Sequence, residues 1–274
     1  MNGSQRSMRW LSLLRRLTEG MPGWMVWKNV DHALESTGDV DSLAARADWP
    51  TVERVFRDWA EDTGCGPVVM CRHFGNVPIH VVLPPAEPVL MELDVRESKL
   101  WKGAPLFDLG DLESLATMDP RGFRRLRAGA EGVLKLALNG LTASGRANRA
   151  RLREKGVAEL LRSDPEGVRA AVRLFDSAAR PMTRLADAVA GGRWDRGAAA
   201  AVLGLTVLRG MGDPGAFAHR ARFRLALKST IASCPVLATI WHDDRRVEDR
   251  DREAWLERAA AAHEAPIDLA GVRP

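Results

Sequence analysis

The sequence predicts an α/β (α+β) protein: a small mixed sheet with an N-terminal helix, followed by a helical C-terminal domain. Three observations predict it. Short β-branched and apolar runs, punctuated by Gly and Pro turns, crowd the first part of the chain. Ala- and Arg-rich segments with helical apolar spacing fill the rest. The composition, 46% hydrophobic and 28% charged over 274 residues, is that of a folded chain long enough to bury a full core. The change of character puts a boundary near residues 110 to 125, giving domains 1–120 and 121–274.

Leu11, Leu14 and Leu17 recur at helical spacing, so the chain opens on an amphipathic helix that ends near Gly20. Trp24–Lys28 reads as a short strand, Asn29–Gly38 as a polar loop, and Asp39–Leu43 as a second strand. Pro50 opens a helix at its first turn, with Val52, Val55, Phe56 and Trp59 on one face and Gly64 at its end. Three strands then begin at Pro67, Val77 and Pro88, the first two forming a hairpin. Helices are expected over Ala128–Leu141, Lys155–Leu161, Glu166–Ala179, Arg184–Ala190, Ala198–Met211, Phe217–Ser229 and Arg252–His263. The basic stretch Thr142–Arg153 reads as an exposed loop.

The net charge of +4 is a mild excess, too small alone to argue for nucleic acid but compatible with anionic partners. Cys65, Cys71 and Cys234 make an odd count without a CxxC pair, which fits a reducing compartment. Cys65, Cys71, His73 and His80 lie close together but match no common zinc spacing. No apolar run is long enough to span a membrane, and Arg15 and Arg16 interrupt the N-terminal leucines, so a cytoplasmic protein without a secretory signal is expected.

The chemistry lies in the carboxylates. Asp39 and Asp41 are two apart and share one face of a strand. Like charges at that separation repel unless they are solvated or a cation lies between them. Asp94 closes a later strand, with Glu92 on the same face. If the two strands are neighbours, three or four carboxylates converge, the oxygen-rich set that Mg²⁺ takes while retaining substrate phosphates as further ligands. The competing reading is a plain Gly-Asp-x-Asp turn. Arg121, Arg124, Arg125 and Arg127 form a basic cluster suited either to phosphates or to ion pairs with nearby acids.

This layout resembles the nucleotidyltransferase fold superfamily. Its motif is an apolar strand ending in Gly-Gly or Gly-Ser, a spacer, Asp-x-Asp, and a third acid on a later strand. Here the strand is Trp24–Trp27, Lys28–Asn29 stand where Gly-Ser would be, Asp39-Val40-Asp41 is the acidic pair, and Asp94 in Leu93-Asp94-Val95 is the third acid. Trp24 to about Leu141 also resembles nucleotidyltransferase-like proteins of bacterial polysaccharide clusters, through the segments WKGAPLFD and GAEGVLKLALNGL. The resemblance covers less than half of the chain. It implies a small mixed sheet of nucleotidyltransferase type. It also implies Mg²⁺, as two ions, on Asp39, Asp41 and Asp94, and an NTP as substrate. The acceptor would be RNA, a small molecule, a sugar or a protein. Lys28, Asn29, Ser36, Arg124 and Arg125 would contact the nucleotide. The departure at Lys28–Asn29 leaves a second expectation open: a catalytically inactive relative that binds a nucleotide or a protein partner.

Overall fold

The computed structural model describes residues 3–35, 38–73, 77–85, 87, 89–154, 156–212, 247, 249–264 and 267–268. In chain order the elements are α1 (Gly3–Gly20), β1 (Met25–Lys28), α2 (Val30–Glu35), β2 (Val40–Leu43), α3 (Trp49–Asp62), β3 (Val69–His73), β4 (Val77–Val82) and β5 (Met91–Arg96). There follow β6 (Ser98–Trp101), β7 (Ala104–Asp108), α4 (Leu109–Glu113), β8 (Ala116–Met118), β9 (Arg124–Leu126), α5 (Ala128–Lys135), α6 (Arg149–Glu154), α7 (Val157–Ser163), α8 (Pro165–Ala171), α9 (Ala179–Ala190), α10 (Arg196–Gly210), α11 (Asp249–Glu264) and β10 (Ile267–Asp268). The expected fold class is the observed one: a mixed sheet, an N-terminal helix and a helical region after the sheet. The expected Phe217–Ser229 helix lies outside the described residues.

The chain divides into two compact units that interleave in sequence. One comprises Met1–Glu97, Pro120–Phe123 and His219–Pro274; the other comprises Ser98–Asp119 and Arg124–Ala218. A single cut at residue 120, as the change of composition suggested, does not describe this division. Composition cannot register a chain that leaves a unit and later returns to it.

In the first unit the strands run β10, β3, β4, β5, β2, β1. β2 pairs with β5 in parallel, whereas β1–β2, β3–β4 and β4–β5 are antiparallel. One sheet face packs Val26, Val40, Leu93 and Val95 against Trp10, Leu13, Leu14 and Leu17 of α1 and Val52, Phe56 and Trp59 of α3. These are the alternate strand positions and the i, i+3, i+4 helix positions that period 2 and period 3.6 demand. The stretch expected as a loop, Asn29–Gly38, contains α2. Val30, Ala33 and Leu34 recur at helical spacing and are buried, so packing outweighs a polar local sequence.

In the second unit β6–β7 and β8–β9 are hairpins, and α5 to α10 form the helical part. Three expected elements differ. The Ala128–Leu141 helix leaves α-geometry after Lys135 and finishes as a π-turn, Leu136–Gly140. The Glu166–Ala179 helix leaves α-geometry after Ala171, continues as 3₁₀ turns over Val172–Ala178 and kinks where Asp176 takes φ 49 and ψ −115, so α8 and α9 are separate. Thr142–Arg153 is not all loop: α6 occupies its end. No helix among the described residues is long and apolar enough to cross a membrane.

Candidate metal centre

Asp41 and Asp94 are direct register partners on the parallel strands β2 and β5. Asp39, two residues before Asp41, joins them. One ligand oxygen from each of the three lies within 4.8 Å of the others. The fourth carboxylate considered, Glu92, is buried on β5 but falls outside this group. Direct cross-strand like charges are destabilising, so the cluster needs compensation, and the fold supplies it on three sides.

The first compensation comes from β1. Simple alternation would turn Lys28 to the same face as Val26, into the apolar core. A bulge between Val26 and Lys28 re-aims it: Val26 pairs with Ser42, yet Lys28 pairs with Asp41. Its Nζ then sits 2.7 Å from Asp41 Oδ2, with the ammonium 4.7 Å from the Trp27 ring centroid. The cation-π contact helps hold the lysine head at this buried place.

The second comes from Asn29. It takes φ 70 as the chain turns from β1 into α2, a left-handed conformation that asparagine tolerates better than most residues. That turn aims its amide: Nδ2 donates to Asp41 Oδ2 at 2.8 Å and to Asp39 Oδ1 at 3.4 Å. The third is Arg96, whose Nη2 lies 3.5 Å from both Asp41 Oδ1 and Asp94 Oδ2. Arg96 was missed in the sequence. It stands two residues after Asp94 on one strand, so the alternation that singled out Glu92 also identifies it.

Asp41 is 1% exposed. Burial, then the neighbouring Asp41 and Asp39 charges, push the Asp94 carboxyl up to about 7, against the opposing pull of Arg96 and Lys28. Its Oδ1 is buried and has no hydrogen-bond partner among the described residues. The arrangement is thus a partly buried carboxylate cluster with built-in cations, in which burial and its neighbours push Asp94 toward its protonated form. Hard oxygen ligands of this kind suit Mg²⁺.

The remaining expected site residues sit elsewhere. Ser36 lies outside the described residues. Arg124 and Arg125 are on β9, in the second unit. Arg125 is held by Asp119 at 3.1 Å and Glu131 at 2.7 Å, and Lys135 also reaches Glu131, at 2.6 Å. Arg121 pairs with Asp31, and Arg127 with Asp164 and Glu166. Ion pairing thus accounts for Arg121, Arg125 and Arg127 in this basic cluster. Comparison of the chain with known protein families, with curated proteins and with solved structures finds no match.

Proposed function

We propose that this chain is a metal-dependent nucleotidyltransferase of the superfamily it resembles, moving a nucleotidyl group from an NTP to an acceptor in a cytoplasmic setting. One observation carries the reading: Asp41 and Asp94 face each other on adjacent parallel strands and, with Asp39, bring ligand oxygens within 4.8 Å of one another. Asp39 and Asp41 would hold Mg²⁺, with Asp94 sharing the catalytic ion. Bound in pairs, such ions stabilise both the attacking and the leaving oxygen of a phosphoryl-type displacement. The chain's own residues do the rest. Asn29 orients the Asp39 and Asp41 carboxylates, and Asp94 accepts the proton of the acceptor hydroxyl. Lys28 and Arg96 supply positive charge toward phosphate. RNA, small molecules, sugars and protein side chains all offer a hydroxyl of the kind required.

The Asp39→Asn/Asp41→Asn double variant tests this. Transfer of label from an α-labelled NTP should fall by about 10²–10³-fold, the scale on which removing preorganised electrostatic groups acts. Undiminished transfer in the folded double variant rejects the assignment. A second reading has its own observation: Lys28 Nζ, 2.7 Å from Asp41, already neutralises the carboxylate a metal would need. On that reading the chain binds a nucleotide without turnover. Calorimetry with each NTP, with and without Mg²⁺, separates the two. Metal-independent binding without product favours the second.

A further inference from the structure

The net charge of +4 is not evenly spread. The segments Ser98–Asp119 and Arg124–Ala218 carry 19 Lys and Arg against 13 Asp and Glu, and the rest of the chain carries 21 against 23. Within this basic unit, the turn and short helix after α5 concentrate arginines. Arg146, Arg149 and Arg153 are all exposed, and none has an ion-pair partner among the described residues. Arg151 is committed to Glu154 at 3.3 Å.

The presenting segment is anchored, so the charges are held out rather than trailing. Leu141 bridges to Ala147. The Thr142 hydroxyl accepts from the Arg146 N–H at 3.0 Å. The Trp194 indole donates to the Gly145 carbonyl at 3.2 Å. Asn148 accepts from the Arg151 N–H at 3.3 Å at the start of α6. The apolar residue of α6, Leu152, is pressed onto Gly140, where an added Cβ would lie 2.4 Å from Leu152 Cδ2. Arg149 and Arg153 share a helix face four residues apart, a like-charge spacing that weakens a helix.

From this we infer that Arg146, Arg149 and Arg153 form a face that binds the phosphate backbone of a nucleic acid. Guanidinium forks match phosphate oxygens, and Thr142, Ser144 and Asn148 add the short polar groups that position a backbone. A membrane surface requires an apolar face beside the charge, but Leu152 is turned inward. A protein partner requires aromatic or aliphatic anchors at its centre, and the one large apolar residue of the segment 142–154, Leu152, is packed on Gly140. The inference is independent of the metal-centre reading.

The test is anisotropy of a labelled 20-nucleotide single-stranded RNA with the full chain, across a salt series. The wild-type chain should bind with an affinity that falls steeply with salt. The triple variant Arg146→Gln/Arg149→Gln/Arg153→Gln should bind at least tenfold more weakly at low salt, with a log–log salt slope reduced by about 2, since each phosphate contact contributes about 0.7. The triple Lys variant should retain binding within about threefold, which separates lost charge from lost folding. Removing three arginines of the other unit, Arg16→Gln/Arg54→Gln/Arg57→Gln, should leave the slope unchanged. The inference is overturned by absence of RNA binding, by equal loss in both Gln triples, or by tighter binding to phosphatidylserine vesicles or polyglutamate than to RNA.

Discussion

Asp94 stands beside two other carboxylates at a place the fold largely closes to water. Its folded carboxyl is raised to about 7, with burial the largest cause and the Asp41 and Asp39 charges next. A carboxyl raised above its unfolded value binds its proton more tightly when folded, so its contribution is favourable at low pH and is lost as pH rises from about 4 toward 7. Above that range the folded chain carries a buried, crowded anion at a cost. Asp94→Asn should therefore raise the melting temperature by several degrees at pH 8 in EDTA and hardly at all at pH 4. Adding Mg²⁺ should stabilise the wild-type chain and not the variant. Equal melting at pH 8 rules out an ionisation penalty at this position. The Asp39–Asp41 pair was legible in the sequence because alternation puts both on one face of a strand, whereas Asp94 joins them only because β2 and β5 are neighbours, a pairing of distant segments that local pattern does not encode. Lys28 was legible only as a cation near the site. Its partnership with Asp41 depends on a bulge, and a one-residue irregularity in a strand leaves no signature in the pattern of apolar residues.

At the scale of elements, the start of α8 lies close against α5 in the second unit. An added Cβ on Gly129 would lie 2.0 Å from the Asp164 carbonyl oxygen and 2.6 Å from the Val168 nitrogen. Backbone cannot yield as a flexible side chain does. Gly129→Ala should thus cost about 3 kcal/mol, at the upper end for overpacking, read from denaturant unfolding; a neutral substitution would mean that the helices do not approach this closely. Asp164 joins the same elements. Its carboxylate accepts from the N–H groups of Gly167 at 2.9 Å and Gly129 at 3.1 Å and from Arg127 at 2.7 Å. Burial pushes this carboxyl up, but the Arg127 hydrogen bond and the two backbone N–H groups outweigh it and hold it below the usual carboxylate range. The stabilisation is present above the unfolded carboxylate pKa and is lost as pH falls below about 4. Asp164→Ala should cost about 2 kcal/mol at pH 7, as a lost cap plus a half-exposed ion pair, and clearly less at pH 3. Asp-Pro before a helical run marks this start in the sequence. No Gly or Pro in the stretch from Val172 to Arg180 marks the break at Asp176 in the sequence, where the chain takes φ 49 and ψ −115.

For the whole molecule, the consequence of the interleaved division is that residues 1–120 do not contain everything that completes the first unit. Late in the chain α11 buries Trp255 and Ala259, and Arg252 donates to the carbonyls of Glu87 and Pro84 at 2.8 and 3.2 Å. The same loop is gripped by α1: Arg9 pairs with Glu87, and Arg6 donates to the Val89 and Leu90 carbonyls at 3.2 and 3.1 Å. β10 then pairs in parallel with β3 at the edge of the sheet. Segments from both ends of the sequence therefore fix the loop that leads into β5, and β5 carries Asp94 and Arg96. A chain ending at residue 248 loses the buried Trp255, whose removal alone is worth about 3–5 kcal/mol, together with the Arg252 contacts and the β10 pairing. Against a typical total stability of about 5–15 kcal/mol, that is enough to leave the first unit marginal. The shortened chain should be poorly soluble or melt well below the full chain, and amide exchange in β3, β4 and β5 should accelerate together. The second unit's α5, α7 and α9 should keep their protection, because they pack on one another within that unit. A shortened chain that melts like the full one, with β5 still protected, would mean that the sheet stands on the first part of the chain alone and that the return of residues 249–268 is ornamental to the candidate site.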